Sequence, residues 1–313
     1  MNPALPLLLL AAQPRDVTQF LRDLVDLEPL SRVDYAATKM ISTYDLSGGN
    51  ADGFRPGQVH GNVYTIADLR GPGVVRRFYC ARPGGMLRII IDGGPKPLIE
   101  MSCAEFFSGR RAPFLAPVAG PMGGGFYSFF PIPFEKSLRI DTVSDENSFG
   151  EYYQVTCHSG GSPVRSLALP LAPEAQTELG RVLDIWRNPG RPLSSPPGES
   201  LNRRVVVEPG THAELADITG AGTIDQFRLK ISSSDPARLR RSLLQMRWDD
   251  EETDAVNSPV GDFFGNGFSE APFRSLLMGL TGTGYYSYFP MPFARRARIR
   301  LVNESPTHPL NAE

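Results

Sequence analysis

The sequence lacks the residue patterns on which several common functions depend. Its three cysteines, Cys80, Cys103 and Cys157, show no C-x-x-C spacing, which argues against a zinc site or a disulfide framework. The four histidines are scattered without the spacing of metal ligands. There is no Gly-x-Ser-x-Gly elbow, no phosphate-binding loop with lysine and no dinucleotide fingerprint. The sequence therefore predicts no bound metal and no cofactor.

Long apolar runs and an excess of basic charge are also missing. No segment beyond the N-terminus approaches the roughly 18 apolar residues of a membrane-spanning helix. Lysine and arginine number 32 against 34 aspartates and glutamates, which gives a net charge of -2. Such a balance favours neither nucleic acid nor an anionic membrane as partner, because both attract a basic surface. A neutral or polar small molecule is the better expectation.

The abundant residues are those of tight turns. The 31 glycines and 29 prolines make up nearly a fifth of the 313 residues. This composition is typical of many short strands joined by turns and unlike that of a helical protein. A chain of this length is also long enough for two domains.

The N-terminal segment, residues 1–13, has a run of leucines followed by Ala-Ala-Gln. It is similar to the end of a secretory signal but has no basic region before the apolar run. Export and retention in the cell therefore both stay open, and the localisation is left unassigned.

The pattern of apolar residues divides the rest of the chain. We expect a helix and polar loop in residues 14–59, a first jelly roll in 60–170, a connecting helix and linker in 171–200, and a second jelly roll in 201–313. The N-terminal helix is predicted within residues 16–27 and the connecting helix within 173–186, followed by a Pro/Ser-rich linker at 192–200. Strands are predicted at residues 74–80, 87–91, 138–143, 152–157, 205–207, 227–231, 246–248 and 297–302.

An internal repeat is the strongest signal in the sequence. Residues 126–134 (FYSFFPIPF) match residues 285–293 (YYSYFPMPF) at six of nine positions. Asp92 and Asp249 each stand fourteen positions before a Phe-Phe pair, and Ala-Asp-Leu before Gly71 matches Ala-Asp-Ile before Gly220. Three matched blocks in the same order predict an all-β fold, a tandem duplicated antiparallel β-sandwich (double jelly roll) with short connecting helices. Most of the repeated residues are expected to serve packing, since symmetry is evidence for fold and not for chemistry. We expect Phe106, Phe107, Phe263 and Phe264 to be buried at equivalent places.

Two groups of polar residues are candidates for a site. Residues 42–53 have no counterpart in the second repeat and offer Tyr44, Asp45, Asn50 and Asp52 as substrate-binding residues, although a turn that caps the sandwich explains them equally well. The acidic run at residues 249–254 lacks the spacing of a calcium loop and is better explained as a solvated turn. Asp262 lies beside apolar residues, where desolvation favours the neutral form that a general acid needs.

Several motifs resemble glycoside hydrolase family 172, also called DUF2961. They are STYDLSGGNAD at residues 42–52, GPGVV at 71–75, the segment from Trp248 to Gly265 that contains PVGDFFG, and YFPMPF at 288–293. The resemblance spans roughly residues 16 to 305. It implies a double jelly roll that assembles into trimers or larger homo-oligomers. It also implies exo-acting, retaining hydrolysis of α-linked fructofuranosides or D-arabinofuranosides.

The sequence departs from the family where catalysis is concerned. The family's catalytic glutamates fall near Arg241 and Gly261 of this chain, and neither glutamate is present. Asp249 and Asp262 are the replacements we assign as catalytic, with Asp45 and Asp52 as further carboxylates. The second repeat also stops before the counterpart of the strand at residues 152–157, so we expect an incomplete second jelly roll, as in a fragment or a diverged member.

Three functions follow from these observations. The first is a furanoside-specific glycoside hydrolase that acts on an oligosaccharide or furanoside. The second is a non-catalytic carbohydrate-binding or assembly protein, which the missing glutamates favour. The third is a capsid-like structural protein, which rests on analogy of fold alone.

Overall fold

A computed structural model describes residues 13–31, 37–144, 152–160, 163–193 and 198–313. Within them the chain forms two compact units. The first unit is the described part of Met1–Leu24 and Asp34–Arg187, and the second is the described part of Val25–Val33 and Asn188–Glu313. The N-terminal segment on which a secretory signal was considered, residues 1–12, and the middle of the expected linker, residues 194–197, lie outside the described residues.

The first unit consists mainly of short antiparallel strands. Its elements are α1 (Val17–Arg22), β1 (Ala37–Ser42), β2 (Val59–His60), β3 (Val63–Arg70), β4 (Gly73–Cys80), β5 (Met86–Ile91), β6 (Ile99–Ser102), α2 (Cys103–Phe106), β7 (Arg110–Arg111), β8 (Phe114–Leu115), β9 (Ala119–Met122), β10 (Gly125–Ser128), β11 (Ile132–Phe134), β12 (Ser137–Val143), β13 (Tyr153–Ser159) and α3 (Pro173–Arg187). One sheet has the order β1-β13-β4-β10-β9, with β11 also paired to β4, and the other has the order β2-β3-β12-β5-β6.

The two sheets of the first unit enclose an aromatic core. Phe114 lies 4.3 Å from Phe106 and 5.3 Å from Phe130, measured between ring centroids, and all three rings are buried. Along β13 the side chains alternate between buried and half-exposed, as expected of a strand that covers a core on one face. The aromatic residues of the first repeat therefore serve packing in its core.

The helices of the first unit follow the predicted positions, with one difference in length. Asp16 caps α1 by accepting a hydrogen bond from the Thr18 N–H, and Gln19 completes the capping box. The helix ends at Arg22 and not near residue 27, and the Asp23 carboxylate just beyond it binds two arginine side chains at 2.7 Å. None of the helices among the described residues is both long and apolar enough to cross a membrane.

The second unit repeats the sandwich with fewer paired strands. After a 3₁₀ turn at Glu28–Ser31, its elements are β14 (Val205–Val207), β15 (His212–Thr219), β16 (Gly222–Ile224), β17 (Phe227–Leu229), β18 (Ile231–Ser232), α4 (Arg238–Arg241), β19 (Ser242–Trp248), β20 (Val256–Pro259), α5 (Val260–Phe263), β21 (Phe273–Arg274), β22 (Met278–Thr281), β23 (Gly284–Ser287), β24 (Met291–Phe293), β25 (Arg296–Asn303) and β26 (Leu310–Ala312). The sheets are β15-β25-β19-β20, β17-β23-β22-β21, β14-β26-β18 and β16-β24.

The duplicated antiparallel sandwich predicted from the sequence is confirmed. Two details differ from the prediction. The strand expected at residues 227–231 is divided into β17 and β18, because Lys230 between them pairs with Glu313 through two main-chain hydrogen bonds. Phe263 was expected to be buried like its counterpart Phe106, but it is half-exposed, whereas Phe264 is fully buried.

Candidate functional site

The loop predicted to bind substrate lies in the first unit, directly after β1. The Asp45 carboxylate accepts hydrogen bonds from the Ser47 hydroxyl at 2.7 Å, the Ser47 N–H at 2.9 Å and the Ala51 N–H at 3.0 Å. Asp52 in turn accepts one from the Asp45 N–H at 2.7 Å. The loop is therefore closed by its own two carboxylates, as Asx turns are.

These contacts determine what each loop residue offers to a ligand. The hydrogen bond from the Ser47 hydroxyl, followed by those from backbone N–H groups, holds the pKa of Asp45 below its usual range. Asp45 is accordingly an anion that orders the loop. Asn50 is exposed, and the Tyr44 ring is 51% exposed with the Arg55 guanidinium 5.6 Å from its centroid. The structure thus brings the four predicted binding residues into one loop and leaves Tyr44 and Asn50 directed to solvent.

Asp249 lies in a turn with a structural role in the second unit. Its backbone φ is 54°, and its carboxylate accepts hydrogen bonds from the N–H groups of Ala294, Arg295 and Arg296, where β25 begins. Asp92 does the same in the first unit, with φ 55° and hydrogen bonds from the N–H groups that lead into β12. The N–H groups of Arg296 and Arg295 hold the pKa of Asp249 below its usual range. Asp249 therefore holds the start of β25 by accepting main-chain hydrogen bonds, as Asp92 does at the start of β12.

Asp249 follows the Trp248 end of β19, whereas Asp262 lies in a group of ion pairs near its Ser242 end. Helix α4 supplies three arginines to three carboxylates: Arg240 binds Asp262, Arg238 binds Glu270 at 3.0 Å, and Arg241 binds Asp235 at 3.0 Å. We refer to these six residues as the α4 cluster. The cluster gathers side chains from three separate segments of the second unit around one short helix.

The members of the α4 cluster differ in exposure. Asp235 is only 1% exposed, and hydrogen bonds from the Ser305 hydroxyl and the Ala237 N–H lower its pKa to about 2. Glu270 also accepts a hydrogen bond from the Tyr285 hydroxyl at 3.3 Å, and burial, together with this carboxylate, raises the pKa of Tyr285. Asp262 and Glu270 lie nearer the surface, where a ligand can reach them; the desolvated setting predicted for Asp262 is wrong, because its carboxylate is exposed and paired with Arg240.

An exposed aromatic ring lies beside the α4 cluster. Phe268 is 88% exposed, and the Arg240 guanidinium lies 5.2 Å from its centroid. A flat apolar ring next to fixed donors and acceptors is the combination by which proteins orient small polar ligands. The α4 cluster with Phe268 is our candidate site in the second unit.

The structure does not bring Asp249 and Asp262 together within the second unit. Asp249 follows Trp248, whereas Asp262 lies near Arg240, beyond the Ser242 end of the same strand β19. Seven strand residues at a rise of about 3.4 Å each separate them by roughly 20 Å. Catalytic carboxylates of glycoside hydrolases lie only about 5 to 9.5 Å apart.

The two positions near which the sequence resemblance predicts catalytic glutamates, Arg241 and Gly261, belong to this same end of the second unit. Gly261 lies under the loop that follows α5: a Cβ there would be 2.5 Å from the Asn266 carbonyl oxygen and 3.0 Å from that of Gly267. The Asn266 N–H also donates to the Gly261 carbonyl at 2.6 Å. Arg241, at the other position, is engaged by Asp235. This loop conformation leaves no room for a glutamate side chain at residue 261.

Sequence reasoning found Asp262 but missed Glu270, Asp235 and the arginines of α4. The run Arg238-Leu239-Arg240-Arg241 was the available signal, since three arginines in four residues require anionic partners or solvent. Their partners lie up to 32 residues away along the chain, so the spacing in the sequence does not reveal the pairs. Among the described residues no group of histidines, cysteines and carboxylates is arranged to hold a metal ion.

Two family models match successive parts of the chain. A sequence model described as "GH172 first beta-sandwich domain" matches residues 34–164, and one described as "GH172 domain-like" matches residues 198–311. No curated protein matches the chain. Among solved structures, the chain is similar to the major capsid protein P2 from Bacteriophage PM2, with 9% identity and a TM-score of 0.25 over 88% of this chain and 96% of that one.

Proposed function

Because the chain belongs to glycoside hydrolase family 172, and is in that general sense a carbohydrate-active protein, we propose that it binds a furanoside without hydrolysing it. The observation that carries this proposal is the packing at Gly261. Gly261, near which the resemblance predicts a family glutamate, has no side chain, and the loop carbonyls of Asn266 and Gly267 occupy the space that one would need.

The chemistry of hydrolysis explains why this position matters. Cleavage of a glycosidic bond requires a carboxylic acid that protonates the leaving group and a carboxylate on the other face of the sugar. The surface carboxylates of the α4 cluster, Asp262 and Glu270, are each engaged by an arginine. A guanidinium that occupies a carboxylate oxygen competes with the proton transfer that an acid must perform.

The same contacts suit recognition of a sugar. The exposed Phe268 ring offers a face on which the C–H groups of a furanose ring can pack, and the neighbouring charged groups of Arg240 and Asp262 can bond to hydroxyls. Furanosides are the proposed ligands because they are the substrate class implied by the family.

The proposal is tested by measuring binding and turnover on the same sample. Titration calorimetry with methyl α-D-arabinofuranoside and a fructofuranoside should detect binding, which Phe268→Ala should abolish. Val206→Ala, which truncates another exposed apolar side chain of the second unit, is the matched control and should bind as the unmodified chain does. Nitrophenyl α-D-arabinofuranoside should not be hydrolysed above the buffer rate. Absence of binding to both sugars would reject the proposal.

A furanoside hydrolase is the second candidate, because family membership favours it and two surface carboxylates, Asp262 and Glu270, belong to the α4 cluster. It would replace our proposal if turnover were observed and then lost in Asp262→Asn or Glu270→Gln. Retention of turnover in Asp249→Asn would then confirm that the turn aspartate has no part in the reaction.

A further inference from the structure

Four arginines share one face of the sheet β15-β25-β19-β20 in the second unit. Arg296, Arg298 and Arg300 stand at every second position of β25, where half-exposed residues alternate with buried ones. Arg247 of β19 is the direct partner of Arg298 in the neighbouring strand, so its side chain is on the same face. We refer to these four residues as the arginine face.

Three of the four arginines are paired with carboxylates of the same unit. Asp217 lies opposite Arg298 in register, but both of its oxygens are bound by Arg296. Asp217 is therefore not available to Arg298. The three ion pairs are Arg296–Asp217 at 2.5 Å, Arg300–Glu214 at 2.8 Å and Arg247–Asp254 at 2.8 Å.

Arg298 is the exception on this face. Its Nε is enclosed, and its side chain forms no hydrogen bond or ion pair with the described residues. Because the residue as a whole is half-exposed, an external group can reach the guanidinium through its two Nη nitrogens. A guanidinium is always protonated in proteins and carries five N–H donors. Arg298 thus offers a charge and donors that this part of the chain does not use.

The first unit shows how the same position is satisfied internally. Counted from the matched aromatic blocks, the counterpart of Arg298 is Arg139 of β12. The Arg139 Nε donates to both oxygens of Asp141, two residues further along the strand, at 2.9 Å. Its partner in the neighbouring strand β5 is Ile90, which carries no charge. In the first unit this arginine therefore has its own carboxylate and no arginine opposite.

The second unit has arginines at both of these neighbouring positions. Arg300 stands where the first unit has Asp141, and Arg247 stands where it has Ile90. Like charges directly opposite each other in adjacent strands destabilise a sheet, so Arg247 and Arg298 repel each other. An anion bound beside Arg298 would offset this repulsion and supply the acceptor that Asp141 provides in the first unit.

We propose that the arginine face binds the carboxylate group of a small organic acid, with Arg298 as its main donor and Arg247 beside it. Two N–H groups of a guanidinium match the two oxygens of a carboxylate in spacing and plane. Three carboxylates pair with three of the four arginines, which leaves one positive charge on this face. A single carboxylate balances that charge, whereas a phosphate of higher charge exceeds it. The arginine face shares no residue with the α4 cluster.

The test compares D-glucuronate with D-glucose, which has a hydroxymethyl group in place of the carboxylate. Titrations of the full chain are followed by the ¹⁵N–¹H signals of its arginine side chains. Glucuronate should bind about tenfold more tightly than glucose and shift the Arg298 Nε–H signal. Arg298→Gln should remove this preference for the acid. Arg88→Gln, which removes an exposed arginine paired with Glu100 in the first unit, is the matched control and should bind as the unmodified chain does.

A second variant tests the site while Arg298 stays in place. Arg300→Asp puts a carboxylate where the first unit has Asp141, so Arg298 gains an acceptor within its own strand. Glucuronate binding should fall to the level of glucose. Circular dichroism of both variants shows whether the fold is kept, and undiminished glucuronate binding in folded Arg300→Asp would contradict the proposal.

Other outcomes would also overturn the proposal. Equal affinity for glucuronate and glucose would show that the carboxylate is not recognised. Tighter binding of inorganic phosphate than of glucuronate would show that the site takes a different anion. Phe268→Ala should leave glucuronate binding intact whether or not it abolishes furanoside binding. A loss of glucuronate binding in that variant would place the acid at the α4 cluster and not at the arginine face.

Discussion

Phe264 lies 4.8 Å from Phe263 with the two rings nearly perpendicular, at 84°, and Phe107 lies 4.8 Å from Phe106 at 87° in the first unit. The geometry of the pair is thus repeated, but its surroundings are not. In the first unit Phe114 packs against Phe106, which is fully buried, whereas Phe263 is half-exposed.

This difference predicts unequal costs of truncation. Phe264→Ala should lower the free energy of unfolding of the second unit by about 3–5 kcal/mol, because it removes a fully buried ring. Phe263→Ala should cost less than half as much, since solvent already reaches this ring. Denaturant unfolding followed by circular dichroism measures both, and equal losses would contradict the prediction.

Gly261→Ala should destabilise the chain by about 1–3 kcal/mol, because the added Cβ is forced against the Asn266 carbonyl. Gly282→Ala is the matched control: no atom lies within 4 Å of a Cβ at that position, and its stability should be unchanged or slightly higher. Thermal denaturation of the two variants provides the comparison. An equal melting temperature for both variants would contradict the prediction, because it would show that the loop over Gly261 can move aside for the added Cβ without loss of stability.

The turn aspartates predict a specific dependence on pH. The pKa of Asp92 is below its ordinary value of 3.8: burial alone would raise it, but hydrogen bonds from the Ser166 hydroxyl and the N–H groups of Lys136 and Ser137 outweigh burial. A folded-state pKa that is depressed contributes stability above the unfolded-state pKa, and this contribution disappears as the pH falls through the folded-state value.

Asp92→Asn should therefore lower stability at neutral pH and flatten its fall below pH 3.8, measured as unfolding free energy across acidic buffers. Asp217→Asn, which removes an exposed ion pair with Arg296, is the control and should have a smaller effect at neutral pH. An unchanged acid profile in Asp92→Asn would contradict the assigned role.

The polar loop gives a fourth prediction. Asp45→Ala should lower the melting temperature, because three hydrogen bonds that close the loop are lost. Asn50→Ala should leave it unchanged and, if the loop binds sugar, weaken furanoside affinity. Fluorimetric melting of the two variants reports the contribution of each residue to stability. Calorimetric titration with a furanoside reports its contribution to sugar binding. A matching fall in melting temperature for Asn50→Ala would favour the role of turn cap over that of ligand contact.

The fold was predictable from the sequence because strands show in local patterns of apolar residues and the duplication shows in repeated motifs. Alternating apolar residues mark β12, β13 and β25, and the matched aromatic blocks reveal the duplication. The C-terminal end of α1 and the division between β17 and β18 were not predictable, since they depend on Arg76 and Glu313, which are distant in sequence. The α4 cluster was missed for the same reason: Arg238 and Glu270 are 32 residues apart, and only the folded loop after α5 brings them together.

The loop that Asp45 and Asp52 close is ordered before any ligand arrives. A ligand that contacted Tyr44 and Asn50 there would lose less main-chain conformational entropy than on a loop without these hydrogen bonds. Association of such a ligand would then need no slow step of rearrangement, and its rate would be set by encounter and orientation.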